Sequence, residues 1–211
     1  MVFRMEETRM PKKGMRGIRR QQFINAAIKV ILQYGLTGIS NARIAMVAGL
    51  SPSLLPHYFP DRTLLLDAVL RQILRRCRTI AKEHLQQHVD PLDRLHILIS
   101  THFRDELFTP EMKRLCRDMH HATYDSMILR ATYGAYQSRL LSAVRGELRQ
   151  LVSARALDAA SSGFIALLDG LWVKALYEPA LLQPADAVDL QKQYLQMITT
   201  RIRIKAGDSL G

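Results

Sequence analysis

Residues 40–59 read SNARIAMVAGLSPSLLPHYF, and this stretch decides the fold. Ser40 is a good helix N-cap, because a hydroxyl there accepts from an orphan backbone N–H. Ile44, Ala45, Val47 and Ala48 follow, and Gly49 closes the short helix. Glycine turns with positive φ at little steric cost. Ser51 is placed to cap a second short helix, with Pro52 at its first position, where a missing N–H is tolerated. Two short helices around Gly49-Leu50 make a helix-turn-helix, whose second helix can enter the major groove and meet base edges. Short helix pairs around a glycine also occur as plain packing units, so shape alone leaves both readings open.

Upstream, Ile18, Phe23, Ala26, Ala27, Val30, Ile31 and Tyr34 recur at three- and four-residue steps. They predict a helix over 16–34 with one apolar face, stopped by Gly35. Downstream, Pro60 ends the third helix, and Asp61 caps a long helix over 62–88 that breaks at Asp90-Pro91. Further helices are predicted over 92–107, 111–130, 132–153, 155–178 and 185–205. Strand alternation, hairpin dipeptides and repeats are absent from the sequence.

The chain has 211 residues, 48% hydrophobic and 23% charged, which is a globular composition with room for a core. Two cysteines, Cys77 and Cys116, cannot build a disulfide framework or a four-cysteine zinc site. They fit a reducing, cytoplasmic setting. No run of about 18 uncharged apolar residues occurs, so no membrane span or membrane partner is expected. The basic N-terminus lacks the apolar segment of a signal peptide.

Charge is uneven. Residues 1–90 carry 15 basic and 6 acidic side chains, and residues 91–211 carry 15 and 13. The excess in the first part suggests a polyanionic partner, nucleic acid or an anionic membrane, with general solubility as the plain alternative.

The residues say more than the shape. Gly35-Leu36, Ile39-Ser40, Arg43-Ile44-Ala45, Val47 through Ser51, His57-Tyr58-Phe59, Asp61-Arg62 and Leu64-Leu65 stand at the spacings of the TetR family of transcriptional regulators. The resemblance covers residues 16–70. Within that family, Met10 through Met15, Ile18 through Gln22 and Leu167 through Trp172 resemble the choline-responsive BetI-like subgroup. The resemblance implies an all-α homodimer: an N-terminal three-helix helix-turn-helix domain over 10–62, then a larger helical ligand-binding and dimerisation domain over 63–205. Residues 62–88 would connect them. It implies a repressor that binds a palindromic double-stranded operator through residues 51–59 and is released by a small-molecule effector, with no cofactor.

Carried over residue by residue, Ser40 caps the second helix and offers backbone N–H groups to a phosphate. Arg43 faces the groove or the DNA backbone. Ser51 begins the recognition helix, and Ser53 and His57 on it face base edges. Tyr58 and Arg62 contact phosphate. Lys12, Lys13 and Arg16 form a clamp on the DNA backbone, which positions without specifying. Phe59 reads as core. Pro56 departs from the family pattern, which usually has a residue with an N–H there, often tyrosine. It removes a hydrogen bond to the Pro52 carbonyl and should bend or loosen the helix.

The resemblance also implies an aromatic cage for a quaternary ammonium, held by cation–π attraction. Residues 112–121 have no Trp or Phe where choline-type proteins carry several aromatics, so choline itself is disfavoured. Phe103, Tyr124 and Trp172 are the ligand candidates among the aromatics, with Tyr133, Tyr136 and Phe164 also within reach. Trp172 and Phe164 read equally as helix-packing core. Asp118 and Asp169 could serve a cationic effector. Asp169 stands in an apolar run, FIALLDGLW over 164–172, where a buried charge needs a partner.

Ala159, Gly163, Ala166 and Gly170 step by four, three and four, a stripe of small residues that lets a second helix approach. With Phe164 and Leu167, and with Val188, Tyr194, Leu195, Ile198 and Ile202 of the last helix, it predicts one side of a four-helix dimer seam. Packing inside one subunit is the alternative.

His84 and His88 stand one helical turn apart, and Cys116 lies near His120-His121, but neither set is a complete metal site. No metal is expected. The nucleophile-elbow, P-loop, dinucleotide and zinc-protease motifs are absent, so no catalytic residue is assigned. A non-enzymatic carrier or an all-α enzyme with a basic surface is the competing reading.

Overall fold

The computed structural model describes residues 12–104, 109–178, 180 and 182–207. Among these the secondary structure is helical throughout. The helices are α1 (Lys12–Tyr34), α2 (Asn41–Ala48), α3 (Leu55–Tyr58), α4 (Arg62–Leu85), α5 (Pro91–His102), α6 (Pro110–Asp125), α7 (Met127–Leu148), α8 (Ala154–Tyr177) and α9 (Pro184–Gly207). Single 3-10 turns stand at Leu36–Gly38 and Pro52–Leu54. The chain divides into two compact units, 1–69 and 70–211, with the boundary inside α4. The first turns of α4, carrying buried Leu65, Leu66 and Val69, therefore go with the first unit and not with the second.

In the first unit, Phe23, Ala27, Val30 and Ile31 of α1 are fully buried, as are Ile44 and Ala45 of α2. The ends of the predicted stripe are not core: Ile18 is 42% and Tyr34 45% exposed. Ser40 Oγ accepts from the Arg43 N–H at 3.2 Å, closing the first turn of α2. Gly49 ends that helix in the left-handed region, φ 66° and ψ 32°, with no side chain to oppose it. Ser51 caps only with its backbone. Its carbonyl accepts from the Leu54 N–H, while its hydroxyl pairs with that of Ser53 at 2.8 Å. Asp61 caps α4 through the Thr63 N–H.

Pro56 splits the recognition segment. A 3-10 turn carries residues 52–54, the Leu55 N–H closes on the Pro52 carbonyl, and an α-turn then runs to Tyr58. The proline thus falls in the first turn of α3, where its absent N–H would have had no helical partner.

The second unit is a helical bundle around Leu95, Ile99, Val144, Phe164, Leu168 and Leu195. Truncating any of these to alanine should cost about 2–5 kcal/mol. Asp90 caps α5 and Thr109 caps α6, as Asx-Pro and Thr-Pro starts do. The break after α6 comes at Ser126, earlier than the 131 boundary read from periodicity. Ser126 accepts from the Leu129 N–H at 3.3 Å. Arg130 reaches back to the Thr123 and Tyr124 carbonyls that end α6. Helix α5 ends at His102, short of the predicted 107.

Helix α8 is long and apolar enough to cross a membrane by length and composition alone. It carries Asp158, Asp169 and Lys174, and it buries Phe164, Leu168, Leu171 and Ala175 in the core. Helix α9 lies close against it. Gln191 donates to the Phe164 carbonyl at 2.9 Å, and a Cβ on Gly163 would collide with the Tyr194 hydroxyl.

Candidate DNA-recognition and effector sites

The recognition segment presents Ser53 and His57 as exposed side chains. Tyr58 is half-buried, its ring 5.6 Å from that of Phe23. Phe59 is core, with the Arg20 guanidinium 4.8 Å over its ring. Arg16 and Ser40 are exposed. Lys12 and Lys13 begin α1, and their side chains lie outside the described residues.

Two predicted contact residues bond backbone carbonyls of their own unit. Arg43 donates to the Gly38 carbonyl and lays its guanidinium 4.4 Å over the Tyr34 ring. Arg62 donates to the Leu36 carbonyl at 2.6 Å. Both arginines therefore tie the 3-10 turn at 36–38 to α2 and α4; the Leu36 carbonyl takes Arg62 as a second donor beside the Ile39 N–H. In the DNA-free protein both arginines thus help to shape the recognition unit.

The second unit holds a cavity of about 120 Å³ walled by α4 to α8. Engineered cavities of about 150 Å³ admit benzene, so this one suits a small ligand. Most of the wall is apolar, including Ile73, Met119 and Leu140. Tyr133, Tyr136 and Trp172 bring three aromatic rings to it, and Asp169 brings a carboxylate. The rings in this wall come from α7 and α8, from among those the sequence placed within reach, and none from residues 112–121.

Polar groups in the wall are wired together. Gln137 Nε2 donates to Asp169 Oδ2 at 2.6 Å and to the Tyr133 hydroxyl at 2.9 Å. The Gln137 Oε1 and His120 Nδ1 atoms are buried without a hydrogen-bond partner among the described residues. Burial lifts the Asp169 carboxyl above the ordinary range, and the Gln137 hydrogen bond together with His102 and His120 offsets part of that. Burial holds His102 below the usual imidazole value. The neutral ring donates from Nδ1 to the Leu98 carbonyl at 2.7 Å, which leaves Nε2 to accept from the Tyr136 hydroxyl at 3.0 Å. Both cysteines line the cavity, and burial pushes the Cys116 thiol up to about 12, far from a reactive thiolate.

Three other predicted ligand residues do not reach the cavity. On α6 the cavity takes positions 112, 116, 119, 120 and 123, so Asp118 and Tyr124 fall on other faces. Asp118 pairs with Arg117 at 3.8 Å, and Tyr124 is 63% exposed. Phe103 is buried behind Trp172, its ring centroid 6.4 Å away. His102, His120 and Gln137 were not singled out as ligand residues, because their sequence neighbourhoods carry no motif. His84 Nε2 accepts from Arg104 at 2.8 Å, and no group of three metal-ligating side chains converges among the described residues.

Of the predicted seam, Phe164 and Leu195 are fully buried within the protomer. Gly163 receives Tyr194 there. Ala159, Ala166 and Gly170 are exposed, Leu167, Val188 and Ile198 are half-buried, and the Ile202 side chain lies outside the described residues.

The family description "BetI-type transcriptional repressor, C-terminal" matches residues 91–200. The BetI regulator of Burkholderia ambifaria strain MC40-6 is 30% identical over 191 residues, 90% of this chain and 98% of its own. That of Rhizobium meliloti strain 1021 is 31% identical over 186 residues, 88% and 92%. The chain belongs to the TetR family of transcriptional regulators, with a BetI-type C-terminal domain. As a member it is a transcriptional repressor of the effector-responsive kind and not an enzyme. TetR regulators bind operator DNA and effectors.

Solved structures share the fold. A Rhodococcus transcriptional regulator superposes with a TM-score of 0.73 at 18% identity, over 85% of this chain and 95% of that one. A Saccharomonospora viridis regulator, solved in complex with choline, does so with 0.70 at 17%, over 85% and 96%.

Proposed function

We propose that this BetI-type repressor is released from its operator by a small organic cation held in the α4–α8 cavity. The observation that carries this is Asp169, a half-buried carboxylate in the same wall as three aromatic rings. A carboxylate with ring faces attracts a cation both by charge and by the ring quadrupoles. The regulator of the same fold solved with choline makes choline the first ligand to test. The unpartnered Nδ1 of His120, which lines the cavity, offers the ligand a further polar contact.

On this reading Ser53 and His57 face base edges, while Ser51, Tyr58, Arg16 and the helix cap at Ser40 position the unit on the phosphates. Lys12 and Lys13 add charge to that clamp. Such a repressor works in the cytoplasm as a homodimer, which gives a palindromic operator its symmetry. The dimer face uses the exposed apolar residues of the last two helices, Ala166, Gly170, Val173 and Tyr177 on α8 with Leu190 and Met197 on α9.

The experiment is a titration of the protein–operator complex, on DNA from upstream of its own gene, with choline and with its uncharged carbon isostere. Release by the cation alone supports the reading. Equal release by both, or by neither while an anion releases, removes it.

A further inference from the structure

Arg71, Arg75, Arg78 and Lys82 repeat at steps of four, three and four along α4 and so share one face. Like charges at that spacing weaken a helix. This face walls a groove of about 880 Å³ formed with α5 and α7. Arg139 of α7 adds another cation, and the residues lining the groove include no carboxylate. Arg94 also lines it but is neutralised, donating to Glu147 at 2.8 Å and to the Leu85 and His88 carbonyls. Arg75, Arg78, Lys82 and Arg139 make no ion pair among the described residues. Between these cations lie the apolar Leu74, Ala81, Leu85, Leu98, Leu140 and Ala143, with uncharged polar groups such as Thr79, Gln86 and Thr132 among them.

Arg75, Arg78, Lys82 and Arg139, without ion pairs among the described residues and beside apolar side chains, fit one kind of ligand. We propose that the groove binds a single-chain amphiphilic anion, a phosphate or carboxylate carried on an alkyl chain. The volume lies within the roughly 300–1,000 Å³ of small-molecule sites. The guanidinium groups suit a phosphate or carboxylate by bidentate geometry, and the floor takes the chain. Part of the basic excess of residues 1–90 thus belongs to this groove and not to the helix-turn-helix.

The groove is separate from the cation cavity but shares its wall. Leu74, Cys77, His102, Tyr136 and Leu140 line both. These side chains stand between the two sites.

Calorimetry on the full chain tests this with decyl phosphate below its micelle concentration, inorganic phosphate, octyl glucoside and anionic vesicles. Decyl phosphate should bind about a hundredfold more tightly than inorganic phosphate, which lacks the chain. The double variant Arg75→Glu with Arg139→Glu should lose about tenfold or more in affinity for decyl phosphate. Ala143→Phe, which fills the floor and touches no charge, should lose it as well. Circular dichroism checks that both variants stay folded. Asp169→Asn should bind decyl phosphate as the wild type does, so the two sites fail independently. Equal binding of inorganic phosphate or octyl glucoside, unchanged binding by the double variant, or binding only to vesicles would overturn the proposal.

Discussion

Gln137 stands between α7 and α8 with its amide donating to Asp169 at 2.6 Å, so the carboxylate in the cavity wall is held in place before any ligand arrives. Preorganisation of this kind reduces the ordering cost of binding.

Burial raises the native pKa of Asp169 above its unfolded value. The stability this group contributes is therefore fully present below the ordinary carboxylate range and is lost as pH rises through the raised native value. Asp169→Asn should make the ligand-free protein more stable at neutral pH, and the two proteins should converge in acid. The same change should weaken binding of an organic cation by about tenfold or more. In the wild type that binding should fall as pH drops through the raised value. Melting curves and calorimetry between pH 4 and 8, set by the ordinary carboxylate and neutral limits, check all three.

Arg62→Ala should lower the stability of the recognition unit by about 0.5–1 kcal/mol, because the Leu36 carbonyl loses one of its two donors and keeps the Ile39 N–H. Arg16→Ala should instead leave stability unchanged and reduce the salt slope of DNA binding by roughly one. His57→Ala should shift base preference at constant stability. Melts paired with binding isotherms across salt separate the three. A stable Arg62→Ala with a lowered salt slope would return that arginine to the phosphate backbone.

Pro56→Ala should lose about 0.5 kcal/mol. The proline occupies a first-turn position that needs no N–H, so alanine adds no native hydrogen bond and loosens the unfolded chain. A gain in chemical-denaturation stability would mean that the proline strains a continuous helix.

Gly170→Leu should separate the subunits and abolish operator binding, because a Cβ there meets nothing within its own protomer. Gly163→Leu should instead damage the protomer itself, by driving into Tyr194. Light scattering distinguishes them. A Gly170→Leu protein of wild-type mass with normal DNA binding removes α8 from the interface.

The helix-turn-helix was legible because its punctuation is local. Ser40, Gly49 and Pro52 act on their own turns, and the structure places each where its chemistry predicts. The directions of Arg43 and Arg62 were not legible, since they depend on which carbonyls of the 36–38 turn come within their reach. The break at Ser126 was missed because neither glycine nor proline marks it; the arginine that completes it lies beyond the turn. In the ligand domain the sequence identifies Asp169 and Trp172 as unusual but cannot say which rings face them. Tyr133 and Tyr136 arrive from another helix, and only packing brings them together. In the stripe of small residues, Gly163 receives Tyr194 within the protomer, while Ala159, Ala166 and Gly170 are exposed. Helix α8 is apolar on more than one side, and periodicity does not say which side faces inward.

Trp172 is the only tryptophan in the chain, and it lines the effector cavity with Phe103 stacked behind it. The protein therefore carries a built-in optical probe at the place where a ligand would arrive. Excited at the red edge, where tyrosine does not absorb, its emission comes from this one indole. Every spectral change during a titration, and every fast phase in a stopped-flow trace, originates at the cavity wall without any label being introduced.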